Sequence, residues 1–117
     1  MQKYKQSLTV SLLIFSKLPV GGIAIFPFIF INKKVDQNYL VKLINHEKIH
    51  IRQQLELLIF PFYLLYFLNY IINFMIYFEH SKAYRNIIFE KEAFNNENDA
   101  LYLSVRRPYS FLKYLKG

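Results

Sequence analysis

The chain has 117 residues, 15 Lys and Arg against 8 Asp and Glu for a formal charge of +7, no cysteine, and 54% hydrophobic residues of which many are aromatic. Without cysteine there are no disulfides and no thiolate metal sites, so any metal must be held by His, Asp or Glu. The hydrophobic content excludes a disordered chain, and 3 Gly with 4 Pro exclude a collagen-like or low-complexity one. Excess positive charge on an apolar chain points to an anionic membrane surface or a nucleic acid as neighbour.

In chain order, the first apolar stretch covers residues 7–31 and is interrupted by Lys17, Pro19, Gly21, Gly22 and Pro27. Proline and glycine in its interior make it a poor helix. Its second half, Ile23 to Ile31, is rich in Ile and Phe and reads as a strand that Pro27 confines to an edge or a bulge. Residues 8–15, behind Lys3 and Lys5, have the alternative reading of a signal peptide's short apolar region, although no small-residue cleavage site follows. Asp36 is placed to cap a helix that starts near Gln37, carries Leu40, Leu43 and Ile44, and runs through Leu58 until Pro61 ends or kinks it. The uncharged stretch from Leu57 to Phe78 follows, long enough to cross a bilayer, with Asn69 and Asn73 as amides that would need partners in lipid. A mixed-charge helical segment is expected from Lys82 to Leu103. After it comes a basic aromatic tail whose Arg106, Arg107, Lys113 and Lys116 would lie near anionic head groups, with Tyr109, Phe111 and Tyr114 at the interface. No repeat or linker divides the chain, so residues 1–117 read as a single domain, and no recognisable nucleic-acid-binding module is present.

The first helix carries His46-Glu47-Lys48-Ile49-His50, an HExxH pattern. At this composition the pattern arises by accident about 0.004 times per chain, so it carries weight. On a helix the two histidines lie one turn and about 40° apart, so both imidazoles can reach one ion, with Glu47 beside them. Two neutral nitrogens and a carboxylate held off the metal are what a zinc peptidase uses to polarise a peptide carbonyl and take a proton from the attacking water. Asn45, Lys48, Arg52 and Glu56 form a separate polar stripe, so the histidines face the rest of the fold. A third ligand must come from further on, with Glu79, His80, Glu90, Glu92 and Glu97 available. Glu90 ranks first because the small Ala93, one turn later, shares its face and would let a second helix approach; Glu92 comes next, then Glu79 or His80.

An HExxH helix, an apolar insertion and a helix opening with ExxA resemble the gluzincin metallopeptidases, especially the membrane-embedded HtpX-type and BlaR-type peptidases. The resemblance covers roughly residues 43–97 and rests on His46-Glu47-Lys48-Ile49-His50 and Glu90-Lys91-Glu92-Ala93. It implies Zn2+ as cofactor with His46, His50 and Glu90 as ligands, Glu47 as general base, and a peptide or protein substrate. Those families commonly carry Asp after the Ala, as partner to a ligand histidine; here Phe94 stands there.

Because the ligands bracket the apolar insertion, a single bilayer crossing would put His46 and His50 on one side and Glu90 on the other. The zinc reading therefore requires the insertion to fold back, as a shallow hairpin bent near Asn69 or Asn73, or as a helix packed against the protein. Lys48 and Arg52 before it and Lys82 and Arg85 after it place both flanks on the cytoplasmic side. The expected fold is mainly α (α+β): the HExxH helix and following helices, a small N-terminal β strand or hairpin, and an inserted apolar helical hairpin in a minimal zincin-like arrangement. The function expected is membrane-associated peptide hydrolysis, with Tyr84, Arg85 or His80 polarising the oxyanion. The rival reading is a small non-catalytic membrane protein that spans the bilayer at 7–31 and 57–78, or a zinc-binding domain without activity.

Overall fold

A computed structural model describes residues 11–15 and 20–116. Three short strands, β1 (Ser11–Phe15), β2 (Gly22–Ile25) and β3 (Phe28–Asn32), form a sheet in the order β1-β3-β2, with β1 parallel and β2 antiparallel to β3. The rest is mainly helical. The run Ile23–Ile31 is thus two strands rather than one: Phe26 and Pro27, joined by a cis peptide bond, form the turn between them, and Pro27 needs no ladder partner there. Alternation along β3 buries Ile29 and Ile31 and turns Phe28, Phe30 and Asn32 the other way. Residues 7–10 and 16–19 of the first apolar stretch lie outside the described residues. Its described part contains strands at 11–15, 22–25 and 28–32 and no helix.

Helix α1 (Gln37–Glu56) begins as the sequence suggests, with Asp36 Oδ1 accepting from Asn38 N at 3.0 Å. It is the central element. One side packs on the sheet through Leu43 and Ile51 against Ala24, Ile29 and Ile31; another packs Ile49 against Ala93 and Tyr102. It stops at Glu56, before Pro61, because Leu58 and Ile59 take positive φ. Pro61 instead sits in the first turn of α2 (Phe60–Tyr77), where its missing N–H costs nothing.

No bend occurs at Asn69 or Asn73: α2 is continuous, and the chain reverses at Phe78 in a left-handed conformation. The two amides dock the returning chain. Asn73 Nδ2 donates to Ala83 O at 3.0 Å in α3 (His80–Arg85), and Asn69 Oδ1 accepts from Ile88 N at 2.9 Å at the start of α4 (Ile88–Asn96). The insertion therefore folds back as an apolar helix with a polar return, not as an apolar hairpin. The segment expected as one helix over 82–103 is broken at Asn86–Ile87 and again before α5 (Tyr102–Val105).

The polar stripe of α1 holds the C-terminal third. Asn45 Nδ2 donates to the carbonyls of Asn96, Glu97 and Asp99, Arg52 donates to Leu103 O, and Glu56 pairs with Arg106. Arg106 is buried between Glu56 and Glu92, and Phe111, in a closing 3-10 helix (Ser110–Lys116), packs on Phe89 with ring centres 4.9 Å apart. Neither residue is available to a membrane surface as the tail reading expected, because two carboxylates and an apolar cluster claim them first.

Candidate metal centre

His46 and His50 project from the buried side of α1 towards Glu90 in the first turn of α4. Their Nε2 atoms lie 3.0 and 3.1 Å from the same oxygen, Glu90 Oε1, and the three donor atoms all fall within 4.8 Å of one another. His46, His50 and Glu90 thus form a buried group that could hold a metal ion. A tetrahedral ion with bonds of about 2.0–2.2 Å spaces its ligands roughly 3.3–3.6 Å apart, so each Nε2–Oε1 distance would need to open by only a few tenths of an ångström. The helix at α4 approaches closely because Ala93 is fully buried against Ile49.

The opposite ring nitrogens are oriented. His46 Nδ1 lies 2.6 Å from Glu97 Oε1, and His50 Nδ1 lies 2.7 Å from Gln53 Oε1. Gln53 can offer its oxygen because its amide nitrogen donates to Phe89 O and to Glu92 Oε1. Both Nδ1 atoms therefore act as donors, leaving the Nε2 lone pairs for an ion. Glu97, at the C-terminal end of α4, is thus the carboxylate partner of His46, while Phe94 stacks edge-on against the same ring at 4.6 Å. Glu97 is reached one helical turn later, and neither it nor Gln53 carries a sequence signal for this task beyond its distance from the motif.

The remaining candidates are placed elsewhere. Glu92 is buried behind His50, where it accepts from Gln53, from Tyr102 at 2.5 Å and from Arg106. Glu79 is exposed and 3.8 Å from Lys82, and exposed His80 bonds the Tyr70 hydroxyl at 2.9 Å. Glu47 is buried beside the pair, and burial, only partly offset by the two histidines, pushes its carboxyl above the usual range. Burial raises Glu90 too, but His50 and His46 outweigh it and hold that carboxylate well below the usual range.

His46, Glu47, His50 and Glu90 line a cavity of about 640 Å3 between β2, α1, α2 and α4, within the range of small-ligand sites. Tyr66 donates to Glu90 Oε2 at 2.5 Å, and burial keeps the Tyr66 and Tyr84 hydroxyls protonated far above neutral pH. Tyr84 and His80 both reach the cavity, whereas Arg85 stacks 4.0 Å over the Phe94 ring. Gly22 of β2 passes directly over Glu47: a Cβ there would lie 3.2 Å from Glu47 Oε2. Compared with protein-family models, curated proteins and solved structures, the chain matches none of them.

Proposed function

We infer that the protein is a zinc-dependent hydrolase of peptide bonds that works at a membrane surface. The observation that carries this reading is the convergence of His46, His50 and Glu90, from helices separated by an apolar insertion, beside a buried carboxylate in an open cavity. Two imidazoles and one carboxylate, with both imidazoles oriented from behind, suit Zn2+ with a fourth position open. Bound there, Zn2+ would polarise the scissile carbonyl and make a water more acidic. Glu47 takes the proton from that water and delivers it to the leaving amine; its raised affinity for a proton suits both halves of the task. The hydroxyl of Tyr84, protonated and facing the cavity, supplies a hydrogen bond where negative charge develops on the carbonyl oxygen. The outer edge of β2 offers backbone groups to a substrate lying extended across the site.

Membrane association is supported by α2, which is built inside out. Phe62, Tyr66, Asn69, Tyr70 and Asn73 form the stripe that faces the protein, while Phe67, Ile72 and Met75 on the opposite side are 59%, 57% and 66% exposed. A helix in water turns the other way, with amides out and apolar residues in. The return segment carries Glu79, His80, Lys82 and Arg85, too polar for the hydrocarbon core, so α2 lies in the plane of the interface with its outer face in lipid and the return on the water side. The net charge of +7 favours an anionic surface.

Metal analysis tests the centre. Wild type and Glu47→Gln should each carry about one equivalent of zinc, and His50→Ala should lose it. Glu47→Gln should lower peptide turnover by roughly 10²–10⁴-fold. Equal zinc content in wild type and His50→Ala would sink the reading.

A further inference from the structure

The free edge of β2 is closed partway along by a side chain. Asn32 N donates to Gly21 O at 2.8 Å, which fixes Gly21, Ile23 and Ile25 as the residues bonded to β3. The backbone groups of Gly22 and Ala24 and the N–H of Phe26 therefore point off the outer edge. Gln54, 1% exposed, takes two of these: its Oε1 accepts from Phe26 N at 2.8 Å and its Nε2 donates to Ala24 O at 2.7 Å. The Tyr63 hydroxyl donates to the same Ala24 oxygen at 2.8 Å. One glutamine amide reproduces the pair of hydrogen bonds that a neighbouring strand would make. From the Ala24 carbonyl onward the edge has no acceptor left to offer.

Two residues earlier the edge is open. Gly22 N–H and C=O have no hydrogen-bond partner among the described residues, and Gly22 lines the cavity with its Cα facing Glu47, at the level where the hydrolysed bond would lie. Two residues of strand rise about 6.6 Å, so an added chain can make the full pair of bonds at Gly22 but finds the Ala24 carbonyl, the acceptor of the next pair, and the Phe26 N–H beyond it already occupied. Antiparallel addition, the more stable pairing, puts the amino-terminal side of the added chain towards Ala24.

We propose that Gln54 and Tyr63 are specificity-determining residues that cap the substrate edge, so that the site accepts peptides with only one or two residues on the amino-terminal side of the scissile bond. The substrate class is a short peptide or the amino-terminal end of a longer one. This rests on the hydrolase reading, and deepens it from peptide bonds in general to bonds near one chain end.

The experiment uses a tetrapeptide and two octapeptides that extend it by four residues at the amino or the carboxyl end. Affinity is measured by calorimetry on zinc-loaded Glu47→Gln, and cleavage positions by mass spectrometry with the zinc-loaded wild type. The amino-terminal extension should weaken binding at least tenfold and the carboxy-terminal one leave it within threefold, with cleavage releasing one or two residues from the amino end. In the double variant Gln54→Leu/Tyr63→Phe the penalty should shrink. Should that variant not fold, the wild-type and Glu47→Gln comparison decides alone. Equal binding of both octapeptides, or cleavage in the interior of the amino-extended one, overturns the cap while leaving hydrolysis standing. Binding with the predicted asymmetry but no cleavage by wild type supports the cap and overturns the hydrolase reading instead.

Discussion

With its Nδ1 donating to Gln53, the His50 Nε2 can hydrogen-bond Glu90 only by carrying a proton, so in the absence of an ion His50 and Glu90 form an imidazolium–carboxylate pair. Burial would lower the His50 imidazole, but the charge and hydrogen bond of Glu90 outweigh it and push it up to about 9. A raised imidazole pKa stabilises the metal-free fold fully below the ordinary histidine value near 6.5, and that contribution is lost as pH rises through about 9. Chelator-treated protein should therefore melt at a lower temperature near pH 10 than near pH 7, and Glu90→Gln should remove most of the difference. Zinc uptake should release protons below about pH 9, read by calorimetry in buffers of different ionisation enthalpy. Gln53→Ala leaves the His50 ring without its acceptor and should weaken zinc about 10–100-fold with the ligands intact. Unchanged zinc affinity in that variant would show that Gln53 does not hold the ring.

Among the elements, α1 was readable from one end to nearly the other: Asp36 as cap and the helical spacing of the motif both appear in the structure. The apolar insertion was not readable in the same way. Composition shows a long uncharged run, and it cannot show that Asn69 and Asn73 are hydrogen-bonded to residues met only after the chain has turned back. Pro61, read as the end of one helix, begins the next, since the same fixed φ suits both roles. Replacing Asn73 by Ala leaves the Ala83 carbonyl without its donor and should cost about 1–2 kcal/mol in denaturant unfolding. A loss indistinguishable from zero would mean that α3 is held by other contacts, such as the His80–Tyr70 hydrogen bond.

At the scale of the molecule, the C-terminal third is tied to the candidate metal centre through Arg106. Its guanidinium bonds Glu56 at 2.6 Å and also Glu92, and Glu92 holds Gln53, which orients His50. Arg106→Ala leaves a fully buried carboxylate unpaired and should cost about 3–5 kcal/mol, a fall of roughly 10–20 °C in melting temperature. Arg107, its neighbour in sequence, should tolerate the same change within about 0.5 kcal/mol. The outer face of α2 sets the other prediction at this scale. The triple variant Phe67→Ser, Ile72→Ser and Met75→Ser should no longer float with phosphatidylserine-containing vesicles, while its zinc content stays that of wild type. Flotation equal to wild type would remove α2 as the membrane-facing element.

The sequence by itself determined the absence of thiolate chemistry, the helix that presents His46, Glu47 and His50 on neighbouring positions, and the requirement that the apolar insertion fold back if Glu90 is to join them. These are local or topological facts, set by spacing along one helix and by the length of one uncharged run. Only the tertiary structure decided that Glu90 rather than Glu92 meets the histidines, that Glu97 and Gln53 orient the rings, that Gln54 closes the β2 edge, and that Arg106 is buried. Each depends on which side chain a second element brings to within 3 Å or so of the first, and that is fixed by packing angle and helix approach at contacts such as Ile49 on Ala93. No periodicity encodes such a meeting, because its two halves lie tens of residues apart in the chain.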